Sequence, residues 1–345
     1  VSGGRLVGSA GPLVPGYDLL LLDLDGVVYL GDRGVPGAAE ALARVRDAGT
    51  GIEFVTNNAS RRAGQVAEVL RGHGVAADAG EVITSAQGAG AVLAERLPAG
   101  STVLVVGAQA LVDEVTEAGL RATRSADDRP AAVVQGYGRE VGWAQLAEGA
   151  VAIRGGALWA ATNLDETLPS PRGPLPGNGS MVAALATATG RRPDVVVGKP
   201  EPVLFEQSVR RRGARKPLAV GDRLDTDIEG AVRAGVPSLL VLTGITTPPD
   251  LLAAPDGRRP DHVAADLAGL LVPHPAPEVT AAGATCGGWT AVRDGSDRAT
   301  LDGAGTTLDA LRALCGASWA GAPVRAVRPL SEDAERAVKE LGLPA

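Results

Sequence analysis

The chain has 345 residues, 45% of them apolar and only 3% aromatic, so two or three domains are expected, with cores built from Ala, Val and Leu. Its formal net charge of −7 gives no general footprint for nucleic acid, and no apolar stretch approaches the roughly 20 residues that span a bilayer. Two cysteines, Cys286 and Cys315, form no C-x-x-C pair, so neither a zinc site nor a disulfide framework is indicated. Together with an N-terminus lacking the pattern of a secretion signal, this predicts a cytoplasmic protein with reduced thiols.

Residues 1–16, rich in Gly, Ser and Pro, read as a loose lead-in. An apolar strand over 18–24 follows, then a helix over 36–48 punctuated by Pro36 and Gly49. A second strand, 51–56, runs into Asn57-Asn58, and Ser60 is expected to cap a helix reaching His73. A helix over 84–97 leads to a new α/β run, with strands at 103–106, 132–135 and 158–162 and helices at 109–118 and 142–154. A Pro/Gly-rich stretch, 168–179, closes that block. The chain then reads helix 181–189, strand 194–197, helix 202–212, strand 218–220, helix 226–234 and strand 238–242. Arg210-Arg211-Arg212 falls on a helix end, where a solvated face is the expectation. The proline-rich run at 273–277 reads as a stiff linker to about 65 residues patterned strand–turn–strand–helix–strand–helix. Asp294-Gly295 supplies a hairpin turn there and Ser331 a helix start.

This order predicts an α/β protein, a parallel-sheet core interrupted by a smaller inserted α/β domain and followed by a small C-terminal α+β domain. The core takes residues 1–89 and 179–272, the insert 90–178, the linker 273–279 and the last domain 280–345.

Polar groups recur at strand ends. Asp23-Leu24-Asp25-Gly26 follows four leucines and puts two carboxylates on one side of the chain as it leaves the sheet. Carboxylates that close call for a cation or a shared proton, and one can attack phosphorus while its neighbour handles the proton. Thr56-Asn57-Asn58 offers a hydroxyl and backbone N–H groups to a phosphoryl oxygen, although Asn also favours turns for backbone reasons. Lys199, in Gly198-Lys199-Pro200, is one of three lysines among 33 basic residues, so a lysine here departs from the chain's preference for arginine. Gly221-Asp222-Arg223-Leu224-Asp225-Thr226-Asp227 adds hard oxygen ligands suited to Mg²⁺, with Asp225 read as a helix N-cap.

These four segments, in this order, resemble the motifs of haloacid dehalogenase-like (HAD) phosphatases, in the 4-nitrophenylphosphatase-like branch whose large cap is inserted between the second and third motifs. The resemblance covers about residues 17–272. It implies a Rossmann-like core, with Asp23 as nucleophile and Asp25 as general acid/base. Thr56 and Asn57 would bind the phosphoryl group, and Lys199 would orient Asp23 and neutralise charge. It implies Mg²⁺ held by Asp23, the backbone carbonyl of Asp25 and Asp222, with Asp227 supporting through water. Val27 stands where the superfamily commonly has threonine, and this branch often has an aliphatic residue there.

The block from Trp159 through Asn163 and Asp165 to Met181 is similar to the cap of bacterial glycerol-3-phosphate phosphatases that carry a C-terminal extension. That places Asn163 and Asp165 either facing substrate or supporting the cap. The extension resembles part of an acetyltransferase fold. No R/Q-x-x-G-x-G/A stretch follows residue 280 to cradle a coenzyme A pyrophosphate, so packing or homodimer formation is expected of it rather than acetyl transfer. The expected activity is hydrolysis of a small phosphorylated metabolite, glycerol 3-phosphate foremost, with neither nucleic acid nor membrane as partner. Nucleotide, 2-phosphoglycolate or pyridoxal phosphate are the alternative substrates. A non-catalytic ligand-sensing module is the alternative class.

Overall fold

The computed structural model describes residues 4–168, 170, 172–295 and 297–344, so the first three residues of the expected lead-in lie outside the described residues. The chain forms two compact units, Val1–Ile52 with Arg212–Ala345, and Glu53–Arg211. Among the described residues no helix is long and apolar enough to cross a membrane.

In the first unit, Leu19–Leu22 is buried at every position, as expected of a parallel strand covered on both faces. It pairs in parallel with Pro217–Gly221, that strand with Ser238–Val241, and that one with His262–Ala264. Helix Ala38–Asp47 buries Ala38, Ala41, Leu42 and Val45, one apolar stripe at helical spacing. The C-terminal residues add a mixed sheet. Glu278–Val279, Gly283–Cys286, Trp289–Arg293 and Arg298–Gly303 run antiparallel, and Ala326–Pro329 joins the last in parallel. Asp294-Gly295 makes the expected turn, with Gly295 at φ 90°, and the Ser331 hydroxyl caps helix Glu332–Glu340 by accepting from Ala334 N.

Residues 273–277 were expected to be a linker, but His274 is buried, its backbone bridges Ser9, and its ring bonds Gly269 O at 2.8 Å. Leu240, Leu251 and Val263 share one apolar core with Trp289, Leu311 and Leu314, which is why the C-terminal sheet falls in the same unit as the parallel strands.

The second unit begins inside the strand Gly51–Thr56, which pairs in parallel with Val82–Thr84. A separate parallel sheet orders its strands as Val195–Val196, Leu158–Ala161, Ala132–Gln135, Thr102–Val106 and Arg121–Thr123. Helices Gln109–Glu117, Trp143–Arg154 and Asn178–Thr189 belong to this layer. Residues 53–89 and 179–211 fall within this unit, where Asn57 bonds Asp165 and Lys199, Asn163 bonds Asn57 O, and Gly198 N donates to Thr162 O.

Three local expectations are corrected. Ser60 does not cap the following helix. Asn58 Oδ1 accepts from Ser60 N and Arg61 N, and the helix Ala63–Gly72 starts after Arg62, whose N–H goes to Gln65. Asp225 is not an N-cap but an ion-pair partner of Arg223 at 2.8 Å. Arg211 is not on a merely solvated face. Its guanidinium bonds the fully buried Glu53 carboxylate and, at 3.1 Å, Val82 O.

Candidate active site

Asp23 and Asp222 leave the same end of neighbouring parallel strands, since Leu22 lies opposite Val220 and Asp23 N donates to Val220 O at 2.9 Å. Asp227 joins them through a local irregularity. Leu224–Ile228 winds as a π-helical turn before helix Glu229–Ala234, and Asp227 Oδ2 accepts from Arg223 N at 3.1 Å. As a result Asp23, Asp222 and Asp227 each present a carboxylate oxygen within 4.8 Å of the others, with Asp222 and Asp227 1% and 2% exposed.

Three carboxylates so close and so little solvated repel one another, and a divalent cation removes that cost. An all-oxygen carboxylate set is the donor chemistry of a hard ion such as Mg²⁺, so these residues fit one. The Asp25 carboxylate is not in this group; the residue is exposed at the turn, where its backbone bridges Tyr29. Gly26, at φ 80°, closes that turn, and a Cβ on it would come within 2.4 Å of Asp222 Oδ2.

Thr56, Asn57 and Lys199 come together on the second unit. Thr56 is buried at the end of its strand, and its Oγ1 accepts from Asn58 N at 3.2 Å. Asn57 Oδ1 accepts from Lys199 N at 2.8 Å, and its Nδ2 donates to Lys199 O at 3.0 Å and to Asp165 Oδ2 at 3.2 Å. Lys199 is 3% exposed and its Nζ donates to Val55 O at 3.0 Å. Gly198 makes this possible, because a Cβ there would sit 2.7 Å from both Asn57 Oδ1 and Thr162 O.

Of the two residues with an open role, Asn163 supports the site. It is buried, its Nδ2 donates to Asn57 O at 2.7 Å, and its Oδ1 accepts from Asp165 N. Asp165 is half-buried, with its carboxylate on the Asn57 amide.

Sequence reading passed over the segment after the strand Ser238–Val241. Thr243 Oγ1 donates to Gly26 O and Ile245 N to Asp222 Oδ2. The available signal was a hydroxyl residue and a glycine at the end of one more parallel strand. The cysteines stay outside the chemistry, since burial pushes the thiols up, Cys286 to about 11.

Residues 20–121 match the family model of the haloacid dehalogenase-like hydrolases, and residues 196–270 a HAD-hydrolase-like model. A D-glycerol 3-phosphate phosphatase of Mycobacterium tuberculosis is 53% identical over 254 residues, 74% of this chain and 71% of that protein. The chain belongs to the haloacid dehalogenase-like hydrolases. A 5'-nucleotidase of Bacillus subtilis is a further HAD relative, 37% identical over 67% of this chain and 89% of its own length. The HAD fold is equally clear in solved structures. A glycerol phosphate phosphatase from Mycobacterium tuberculosis, in complex with magnesium, superposes with a TM-score of 0.88 at 44% identity, over 96% of this chain and 99% of that one. A 4-nitrophenylphosphatase from Thermotoga maritima gives 0.70 at 32% identity, over 75% of this chain and 98% of that one. Beyond the HAD region, residues 286–343 match a GCN5-related N-acetyltransferase-like domain.

Proposed function

We propose that this chain is a Mg²⁺-dependent phosphatase that hydrolyses glycerol 3-phosphate through an aspartyl-phosphate on Asp23. The observation that carries the substrate is the extent of the likeness. The match to the glycerol phosphate phosphatase runs over 96% of the chain and takes in the C-terminal sheet, whereas the match to the 4-nitrophenylphosphatase covers 75%.

In this reading an Asp23 oxygen attacks phosphorus, the bond from phosphorus to the glycerol oxygen breaks, and Asp25 gives that oxygen its proton. Asp25, now ionised, takes a proton from water as the water oxygen attacks the same phosphorus, which releases phosphate and restores Asp23. The Thr56 hydroxyl and the Asn57 backbone N–H donate to phosphoryl oxygens where charge develops. Lys199 supplies a compact cation against that charge. Asp23, Asp222 and the Asp25 carbonyl would hold Mg²⁺, with Asp227 supporting through water, and the ion would supply charge neutralisation. Residues 1–89 and 179–272 act as the core, 90–178 as the cap and 280–345 as a packing module, in a cytoplasmic enzyme.

A second reading, hydrolysis of a nucleoside monophosphate, is favoured by the 37% identity to the 5'-nucleotidase. Phosphate release from both glycerol phosphates, a nucleoside monophosphate and 4-nitrophenyl phosphate, ranked by kcat/KM, separates the two. A glycerol phosphate is expected to lead, and a nucleotide ahead by tenfold would transfer the assignment. Asp23→Asn is expected to reduce turnover to background with an unchanged Tm, and EDTA to abolish activity until Mg²⁺ is added. Full activity in Asp23→Asn would overturn the mechanism.

A further inference from the structure

We infer that Thr243, Gly244 and Ile245 form a positioning loop that aims the Asp222 carboxylate at the cation, a role that rests on the metal-dependent reading above. The loop approaches the acidic cluster from a strand that carries none of its carboxylates. Ile245 N donates to Asp222 Oδ2 at 2.7 Å and Thr246 N to Asp222 O at 3.2 Å, so the same short segment grips both the side chain and the backbone of that residue. Thr243 Oγ1 donates to Gly26 O, which ties the loop to the turn after Asp23 and Asp25.

Gly244 lies so close to the carboxylate that a Cβ would fall 2.0 Å from Asp222 Oδ2 and 2.5 Å from its Cγ. Asp222 is thereby held from two sides, by Gly26 and by Gly244, and a backbone N–H fixes one of its oxygens. A carboxylate fixed at one oxygen has the direction of the other fixed as well. Such orientation governs metal affinity more than it governs substrate affinity, because loss of a supporting partner of a ligand typically costs 10–100-fold in metal binding. Thr243 and Gly244 carry no carboxylate of the cluster and act through the Gly26 turn and Asp222.

The test is Mg²⁺ binding by titration calorimetry, together with the rise in Tm that Mg²⁺ produces, on the full chain. Thr243→Val removes the hydroxyl donor at nearly constant volume, Thr243→Ser keeps it, and Gly244→Ala adds the offending methyl. Expected are a roughly tenfold loss of Mg²⁺ affinity in Thr243→Val, near-native affinity in Thr243→Ser, and the largest loss in Gly244→Ala, with KM at saturating Mg²⁺ changed less than twofold. Should Gly244→Ala fail to fold, the threonine pair decides. Folded Thr243→Val that binds Mg²⁺ as tightly as the parent would overturn the inference. If the parent binds Mg²⁺ but releases no phosphate, the proposed activity fails and the loop's role stands.

Discussion

The Asn57 side chain gives its amide to Asp165 and to the Lys199 carbonyl, and its oxygen to the Lys199 N–H. Beside the phosphate-binding role expected of Asn57, its side chain fastens the segment after Thr56 to the Gly198-Lys199-Pro200 segment, and Asp165 braces that link. Asp165→Asn keeps the shape and removes the charge that strengthens the hydrogen bond, a contribution on the order of 1–2 kcal/mol. Turnover is therefore expected to fall about tenfold for glycerol phosphate and 4-nitrophenyl phosphate alike, with their kcat/KM ratio unchanged. A changed ratio would return Asp165 to direct substrate contact. The placing of Asp23, Thr56, Lys199 and Asp222 at strand ends was legible in the sequence because each stands at the end of an apolar run. The partners of those residues were not, since Asn163 and Asp165 reach Asn57 across the fold.

Long amphipathic helices and apolar strands were readable to within a few residues, as with Gly51–Thr56 and Ala132–Gln135. Val82–Thr84, Arg121–Thr123 and His262–Ala264 were passed over, because three residues are too few for a period to show. The arginine run at the end of helix Val203–Arg212 was misread for a different reason. Glu53 sits on a strand, is wholly buried, and takes its cation from Arg211. Removing the cation from a buried carboxylate is strongly destabilising, and with Arg211 38% exposed the cost is discounted to about 2 kcal/mol. Arg211→Ala is expected to lower the urea midpoint accordingly, and Glu53→Gln in that background to recover part of the loss. A midpoint unchanged in Arg211→Ala would mean that solvent already screens the pair.

In the first unit as a whole, a buried polar group lies between the parallel strands and the C-terminal helix Thr307–Trp319. His262 and His274 meet edge to face at 5.3 Å between ring centroids, Tyr17 Oη lies 3.2 Å from His262 Nε2, and Arg312 reaches His274 Nδ1 and Val263 O. Asp261 and Asp309 supply the nearby negative charge, the latter ion-paired to Arg312. Burial and then the neighbouring His274 lower the His262 pKa from 6.5 to about 4, and burial lowers that of His274. Well above pH 6.5 both imidazoles are neutral folded or unfolded, and their contribution is complete. As pH falls from 6.5 toward 4 the unfolded chain binds protons that the native one refuses, so stability is lost, by roughly 3 kcal/mol for His262 alone. Urea midpoints between pH 7.5 and 4.5 should fall more steeply in the parent than in His262→Gln. Parallel profiles would show that this histidine is not what senses acid.

By itself the sequence determined the alternation of strand and helix and the four strand-end motifs, because hydrophobic period and side-chain chemistry are local properties of a chain. Only the tertiary structure decided that the stiff proline-rich segment at 273–277 buries His274 against Ser9, that Ile245 bonds Asp222 and that Thr243 bonds the Gly26 turn. It also set Asn57 as the knot between Asp165 and Lys199. Such choices are pairings between residues far apart along the chain. They follow from which surfaces are buried against each other and which buried polar groups must then find a partner.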